Sequence, residues 1–106
     1  MSNWQPYNHG RSIGMKGSEG SQIVRDEEHS LGARMTIKQG QGYVSVSCSI
    51  PGKIDHTRFF KGMKAAELEY ASMQKELAKV MNAVSTAKAA DLNAWEAISS
   101  FVARFP

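Results

Sequence analysis

Tyr43-Val44-Ser45-Val46-Ser47-Cys48-Ser49-Ile50 alternates without a break, with Val44, Val46, Cys48 and Ile50 on one face of an extended chain and Ser45, Ser47 and Ser49 on the other. A stretch of this kind is a half-buried strand of an antiparallel sheet, and its apolar side requires a cover. Just upstream, Gln39-Gly40-Gln41-Gly42 has the composition of a hairpin connection. Before that, Arg34 to Lys38 alternates again, with Met35 and Ile37 opposed to Arg34, Thr36 and Lys38. Ile23 and Val24 predict a further strand over Gln22 to Asp26, closed by an acidic turn at Glu27, Glu28, His29 and Ser30. Downstream, Pro51-Gly52 turns the chain. Lys53 to Phe60 is the last strand, and its parity is open, because Ile54 and Phe60 agree while Phe59 does not.

After Gly62 the period changes. Ala66, Tyr70, Met73, Leu77, Val80, Met81 and Val84 recur at three- and four-residue steps, the spacing of one helix face. Leu92, Trp95, Ile98, Phe101, Val102 and Phe105 continue the pattern in a new register. With Ser85 or Thr86 as a cap, the pattern gives two helices, 62–84 and 86–105, and one bent helix is the alternative. The predicted fold is α+β: an antiparallel β-meander of three or four strands, within residues 21–60, packed on two C-terminal helices. Residues 1–20, with glycines at 10, 14, 17 and 20, are expected to form an arm anchored by Trp4 or Tyr7.

The chain has 106 residues, 42% of them hydrophobic and 22% charged, which is the composition of one folded domain and excludes disorder of the whole. No apolar run approaches the roughly 18 to 20 residues of a membrane span, and Met1 to Asn8 lacks the basic-then-apolar order of a leader. With a single cysteine, Cys48, the expectation is a cytoplasmic protein. The formal charge of +3 lies wholly in residues 1–62, where eight basic residues face five acids, while the remainder holds five of each. That distribution hints at an anionic partner.

Most catalytic and metal patterns fail on inspection. Gly10-Arg11-Ser12-Ile13-Gly14-Met15-Lys16-Gly17-Ser18 has Met15 between Gly14 and Lys16 and no preceding strand, so it lacks the order of a phosphate-binding loop. A looser anion nest with Arg11 and Lys16 remains open. Asp26, Glu27, Glu28 and His29 are adjacent, and neighbours on an extended chain point apart, so a metal set is not expected there, nor with Asp55 and His56. Glu27 or Glu28 is expected to pair with Arg25, Arg34 or Arg58 at the surface. Cys48 shares its face with valines and is expected in the core rather than as a nucleophile beside His29 or His56. No cofactor and no enzyme activity are expected.

The suggestive constellation is the polar sheet face, where Arg34, Thr36 and Lys38 lie beside the three serines. The last strand adds Asp55, Thr57 and Phe59 in one parity, or His56 and Arg58 in the other. Forked guanidinium donors, hydroxyls and an aromatic suit a small anionic ligand, and the same surface suits pairing of subunits. The meander followed by two helices, from about Gln22 to Phe105, resembles the small phage-encoded sponge proteins that counter Thoeris-type bacterial defence by sequestering cyclic nucleotide signals. That resemblance implies a symmetric homo-oligomer with pockets between subunits, lined by arginines and aromatics and holding an adenine nucleotide intact. Residues of those types here are Arg25, Arg34, Arg58, Phe59 and Arg104. The expected function is therefore a non-enzymatic homo-oligomeric module, a homodimer or larger, that sequesters a nucleotide-like anion. Its candidate ligands to that anion are Arg34, Lys38, Arg58, Phe59, Arg25 and Arg104. The alternatives are a protein-interaction adaptor, inhibitor or immunity-type protein and, behind it, a single-stranded nucleic-acid binder.

Overall fold

A computed structural model of the chain describes residues 3–17, 20–86 and 92–106, without the side chains of 84–86, 92 and 93. Five strands follow one another in a single antiparallel sheet, β1 (Trp4–Pro6), β2 (Gln22–His29), β3 (Arg34–Gly40), β4 (Tyr43–Ile50) and β5 (Ile54–Phe60), in the spatial order β1-β2-β3-β4-β5. Two helices, α1 (Met63–Thr86) and α2 (Leu92–Arg104), complete an α+β fold.

The β4 alternation is realised as read. Val46 pairs with Ile37 and Cys48 with Met35, and these four side chains are essentially inaccessible, under α1 and α2. Ala66, Tyr70, Met73, Leu77, Val80 and Met81 of α1 and Ile98, Phe101 and Phe105 around α2 supply the cover. Each fully buried Leu, Ile or Met contributes about 1.5–3 kcal/mol by leaving water. The helices run antiparallel, since Arg104 at the end of α2 meets Glu76 in the middle of α1 at 3.1 Å. Two helices are thus present rather than one bent rod. The expected cap at Ser85 or Thr86 is overturned, because both residues belong to α1, and the connection lies outside the described residues, as does the side chain of Val84. Trp95, expected in the apolar stripe, is half exposed with Lys53 above its ring at 4.9 Å.

The strand count exceeds the expected three or four because the arm itself contributes β1, which pairs Trp4 with His29 and Pro6 with Glu27. Proline is tolerated on this outermost strand, where no further neighbour needs its missing N–H. Farther along, the arm returns to β2 through a bridge between Lys16 and Gln22. Gly14 and Gly17 donate their N–H groups to the carbonyls of Ile23 and Ser21. Those amides are therefore spent on the sheet edge and do not converge as an anion nest.

The acidic turn is also corrected. Glu27, Glu28 and His29 continue β2, and the reversal occurs after His29, with Gly32 in the positive-φ region at +108°. A bulge at Val24, between Ile23 and Arg25, shifts the phase of β2 by one residue. Ile23 opposite Lys38 and Asp26 opposite Thr36 consequently share the polar face despite opposite parity in sequence.

Glu27, on the other face, ties the sheet to α1. Its Oε1 accepts from Arg25 Nε at 2.9 Å, the Tyr70 hydroxyl at 2.8 Å and Gln74 Nε2 at 3.3 Å. Burial and this carboxylate push the Tyr70 phenol far above its ordinary pKa.

Candidate ligand-binding face

Strand pairing settles the parity of β5. Asp55, Thr57 and Phe59 stand opposite Ser49, Ser47 and Ser45, so the hydroxyl face is a grid of three cross-strand rows. Lys38, Ser45 and Phe59 form one row, Thr36, Ser47 and Thr57 the next, and Arg34, Ser49 and Asp55 the third. Rows are about 6.8 Å apart along the strands and columns about 4.8 Å across them. A cleft of about 330 Å³ opens over this grid, bounded by Ile23 and Lys38 toward one end and by Arg34 and Asp55 toward the other. On its floor the hydroxyls of Ser47 and Thr57 are hydrogen-bonded at 3.0 Å.

One edge of the cleft is a fixed ion pair. Arg34 grips Asp26 with two parallel bonds, Nε to Oδ1 at 2.9 Å and Nη2 to Oδ2 at 2.6 Å, and Thr36 Oγ1 donates to Oδ1 at 3.0 Å. The Asp26 side chain is fully buried and that of Arg34 is about one-third exposed. Tyr7, in the arm directly after β1, places its ring centroid 3.7 Å from the guanidinium carbon. The hydrogen bonds to Asp26 raise the Arg34 pKa above its ordinary value, burial opposing them. The expected pairing of Glu27 or Glu28 with Arg25, Arg34 or Arg58 is met by Arg25 and Glu27 at 2.9 Å, while Arg34 takes Asp26. The arm covers that pair, and the bulge gave no sign in the sequence that Asp26 would face it.

At the opposite corner Tyr43 and Phe59 meet edge-on with ring centroids 5.8 Å apart. Tyr43 crosses Gly40 so closely that an added Cβ there would stand 2.3 Å from its ring. Phe59 is 70% exposed. Tyr43 belongs to the grid and was legible as such, since it shares the serines' parity.

Of the six candidate ligand residues, the sheet brings Arg34, Lys38 and Phe59 to this face, while Arg25 and Arg58 lie on its other face and Arg104 on α2. Arg25 is on the helix side, 4.2 Å above the Tyr70 ring and paired with Glu27. Arg58 also faces the helices, bonded to Glu69 at 3.0 Å and to the Pro106 carbonyl at 3.1 Å. Beside it, His56 Nε2 donates to the Phe105 carbonyl. Arg104 binds Glu76 on the outer surface of the helix pair. Parity explains the separation of Arg58 from Phe59, and the bulge explains that of Arg25 from Arg34.

The electrostatics of the face are mixed. Arg34 and Lys38 are accompanied by Asp26, Glu28 and Asp55, so the excess positive charge of the N-terminal half is not concentrated there. Cys48 lies under this floor with its thiol turned to the core, and burial, then the charge of Asp55, pushes it up to about 12. No group of three or more His, Cys, Asp or Glu able to hold a metal ion occurs among the described residues. No helix among them is long and apolar enough to cross a membrane. Comparison with protein-family models, curated proteins and solved structures found no match.

Proposed function

We propose that the chain is a binding module whose hydroxyl-bearing sheet face retains a small polar ligand with one anionic group, of the size and chemistry of a nucleotide. The observation that carries this reading is the 330 Å³ cleft over the Thr36, Ser47 and Thr57 floor, with Lys38 at one end and Asp55 at the other. Lys38 supplies the anion contact, because the charge of Arg34 is already balanced by Asp26. Hydroxyls donate or accept as the ligand requires, Asp55 accepts from an amine or sugar hydroxyl, and the exposed ring of Phe59 offers a stacking surface. Three carboxylates on the same face disfavour a polyphosphate or a nucleic-acid backbone, which gain their affinity from accumulated positive charge. Sequestration of a signalling nucleotide, including one used in defence, falls within this ligand class.

A thermal-shift panel of cyclic and linear nucleotides, with neutral nucleosides as controls, tests it. A ligand at a hundred times its Kd should stabilise the fold by about 2.7 kcal/mol. Replacing Lys38 with Gln should weaken that ligand by about tenfold, or 1.4 kcal/mol, without lowering the stability of the free protein. A flat response to every nucleotide at millimolar concentration rejects the proposal.

The high exposure of Phe59 favours a second reading, an adaptor or inhibitor that meets a protein partner at this corner. Capture of a host protein that is lost on Phe59→Ala but kept on Lys38→Gln would select it.

A further inference from the structure

The sheet ends on β5, which has β4 along one side and no strand along the other among the described residues. β5 has seven residues, against three in the opposite edge strand β1, and it pairs with β4 without a bulge. Edges that stay solitary are shortened, bent or loaded with like charges, since unpaired N–H and C=O groups are a template for another strand. β5 is neither short nor bent, and the contacts of its inward-facing His56 and Arg58 with the C-terminal carbonyls of Phe105 and Pro106 are made by side chains on the helix side. It carries one Asp, one His and one Arg, and the Arg already has Glu69 as its counter-ion.

We propose that β5 pairs antiparallel with the β5 of a second copy about a two-fold axis at Thr57. In an antiparallel pair, residues opposite one another point to the same face. For a strand pairing with itself, this requires one residue to face its own copy with the axis midway between the two, and the residue at the midpoint of 54–60 is Thr57. That register alone overlaps all seven residues. It sets Ile54 against the partner's Phe60, Asp55 against the partner's Phe59 and His56 against the partner's Arg58. An axis at Arg58 sets two guanidinium groups against each other, and one at Asp55 sets two carboxylates together. With the axis at Thr57, the hydroxyl row Thr36, Ser47, Thr57 continues through the partner's Thr57, so two clefts merge into one trough. The exposed ring of Phe59 then stands at the open end of the neighbouring cleft beside Asp55. The pairing does not rest on the ligand reading, and its test uses no ligand.

Light scattering across a concentration series should show a concentration-dependent dimer. Thr57→Cys should form a disulfide-linked dimer on mild oxidation, since directly opposed residues have Cα atoms about 4.5–5.5 Å apart, within disulfide reach. Asp55→Cys and Phe59→Cys should link poorly to themselves but readily to each other when mixed. Cys48 is buried and leaves these patterns clear. Phe59→Asp, at an exposed position, should keep the monomer's circular dichroism and weaken the dimer at least tenfold by opposing two carboxylates. A monomer at every concentration, or a dimer indifferent to Phe59→Asp, overturns the proposal. So does cross-linking strongest at a position other than Thr57.

Discussion

The two faces of one sheet use the same strands to opposite ends. Beneath the helices, Met35, Ile37, Val46 and Cys48 are dry and apolar, and polar groups enter that side at its margins, where Glu27 joins Arg25, Tyr70 and Gln74 and where Arg58 meets Glu69. On the far face, the neighbouring residues Thr36 and Asp26 are also buried, yet by hydrogen bonds and a thin cover of arm rather than by packed hydrocarbon. Burial is thus shared by both faces, and only the means differ. A close-packed interior tolerates no loss of volume, whereas a hydrogen-bonded surface tolerates change wherever the broken bond can turn to water.

Substitutions that exchange the two characters should break this contrast most sharply. Val46→Ser leaves a cavity and an unsatisfied hydroxyl under α1, and should cost about 3 kcal/mol in urea denaturation. Asp26→Ala strands Arg34 and Thr36 on the other face. Because Arg34 can reach solvent, the expected loss is nearer 2 kcal/mol than the larger cost of a wholly buried pair. A smaller effect depends on pH. Burial lowers the pKa of His29 below its ordinary 6.5, and its neutral Nδ1 accepts the N–H of Leu31 at 3.1 Å. In the unfolded chain the ring takes up its proton first as pH falls. The stability present above pH 6.5 should therefore decline below it, until the folded ring is protonated too. His29→Asn should flatten that part of a melting-temperature profile. Least affected should be Ser47→Val, which gives up an exposed bond to Thr57 but gains strand propensity, for a net change within about 0.5 kcal/mol.

What could be read beforehand follows the same division. Strict period two in β4 and the three-and-four spacing of α1 report burial against hydrocarbon, which only apolar residues satisfy, so both elements were legible. β2 was only half legible. Its bulge at Val24 reverses parity midway, and its last three residues, being acidic or histidine, carry the composition of a turn while all pair with β1 and Glu27 and Glu28 pair with β3 as well. β1 is too short for periodicity to exist. For the candidate site, Lys38 and Arg34 were found because they lie on a strand of regular alternation, whereas Phe59 was named for its ring while the parity of its strand was open. Arg25, Arg58 and Arg104 were drawn in by residue type alone, and strand parity or helix position takes them elsewhere.

The meeting of Tyr43 with Gly40 sets a limit on how this hairpin can vary. Gly40 has an ordinary strand conformation, so an alanine there does not strain the backbone; it evicts the tyrosine ring, which is free to swing outward. Phe59, two strands away from the altered residue, then loses the aromatic edge that steadies it. The smallest possible addition of a methyl group would thus be felt on the outermost strand as a loosened ring, with the fold intact. Sequence drift at position 40 is constrained through Tyr43 by Phe59, a ring that it never touches.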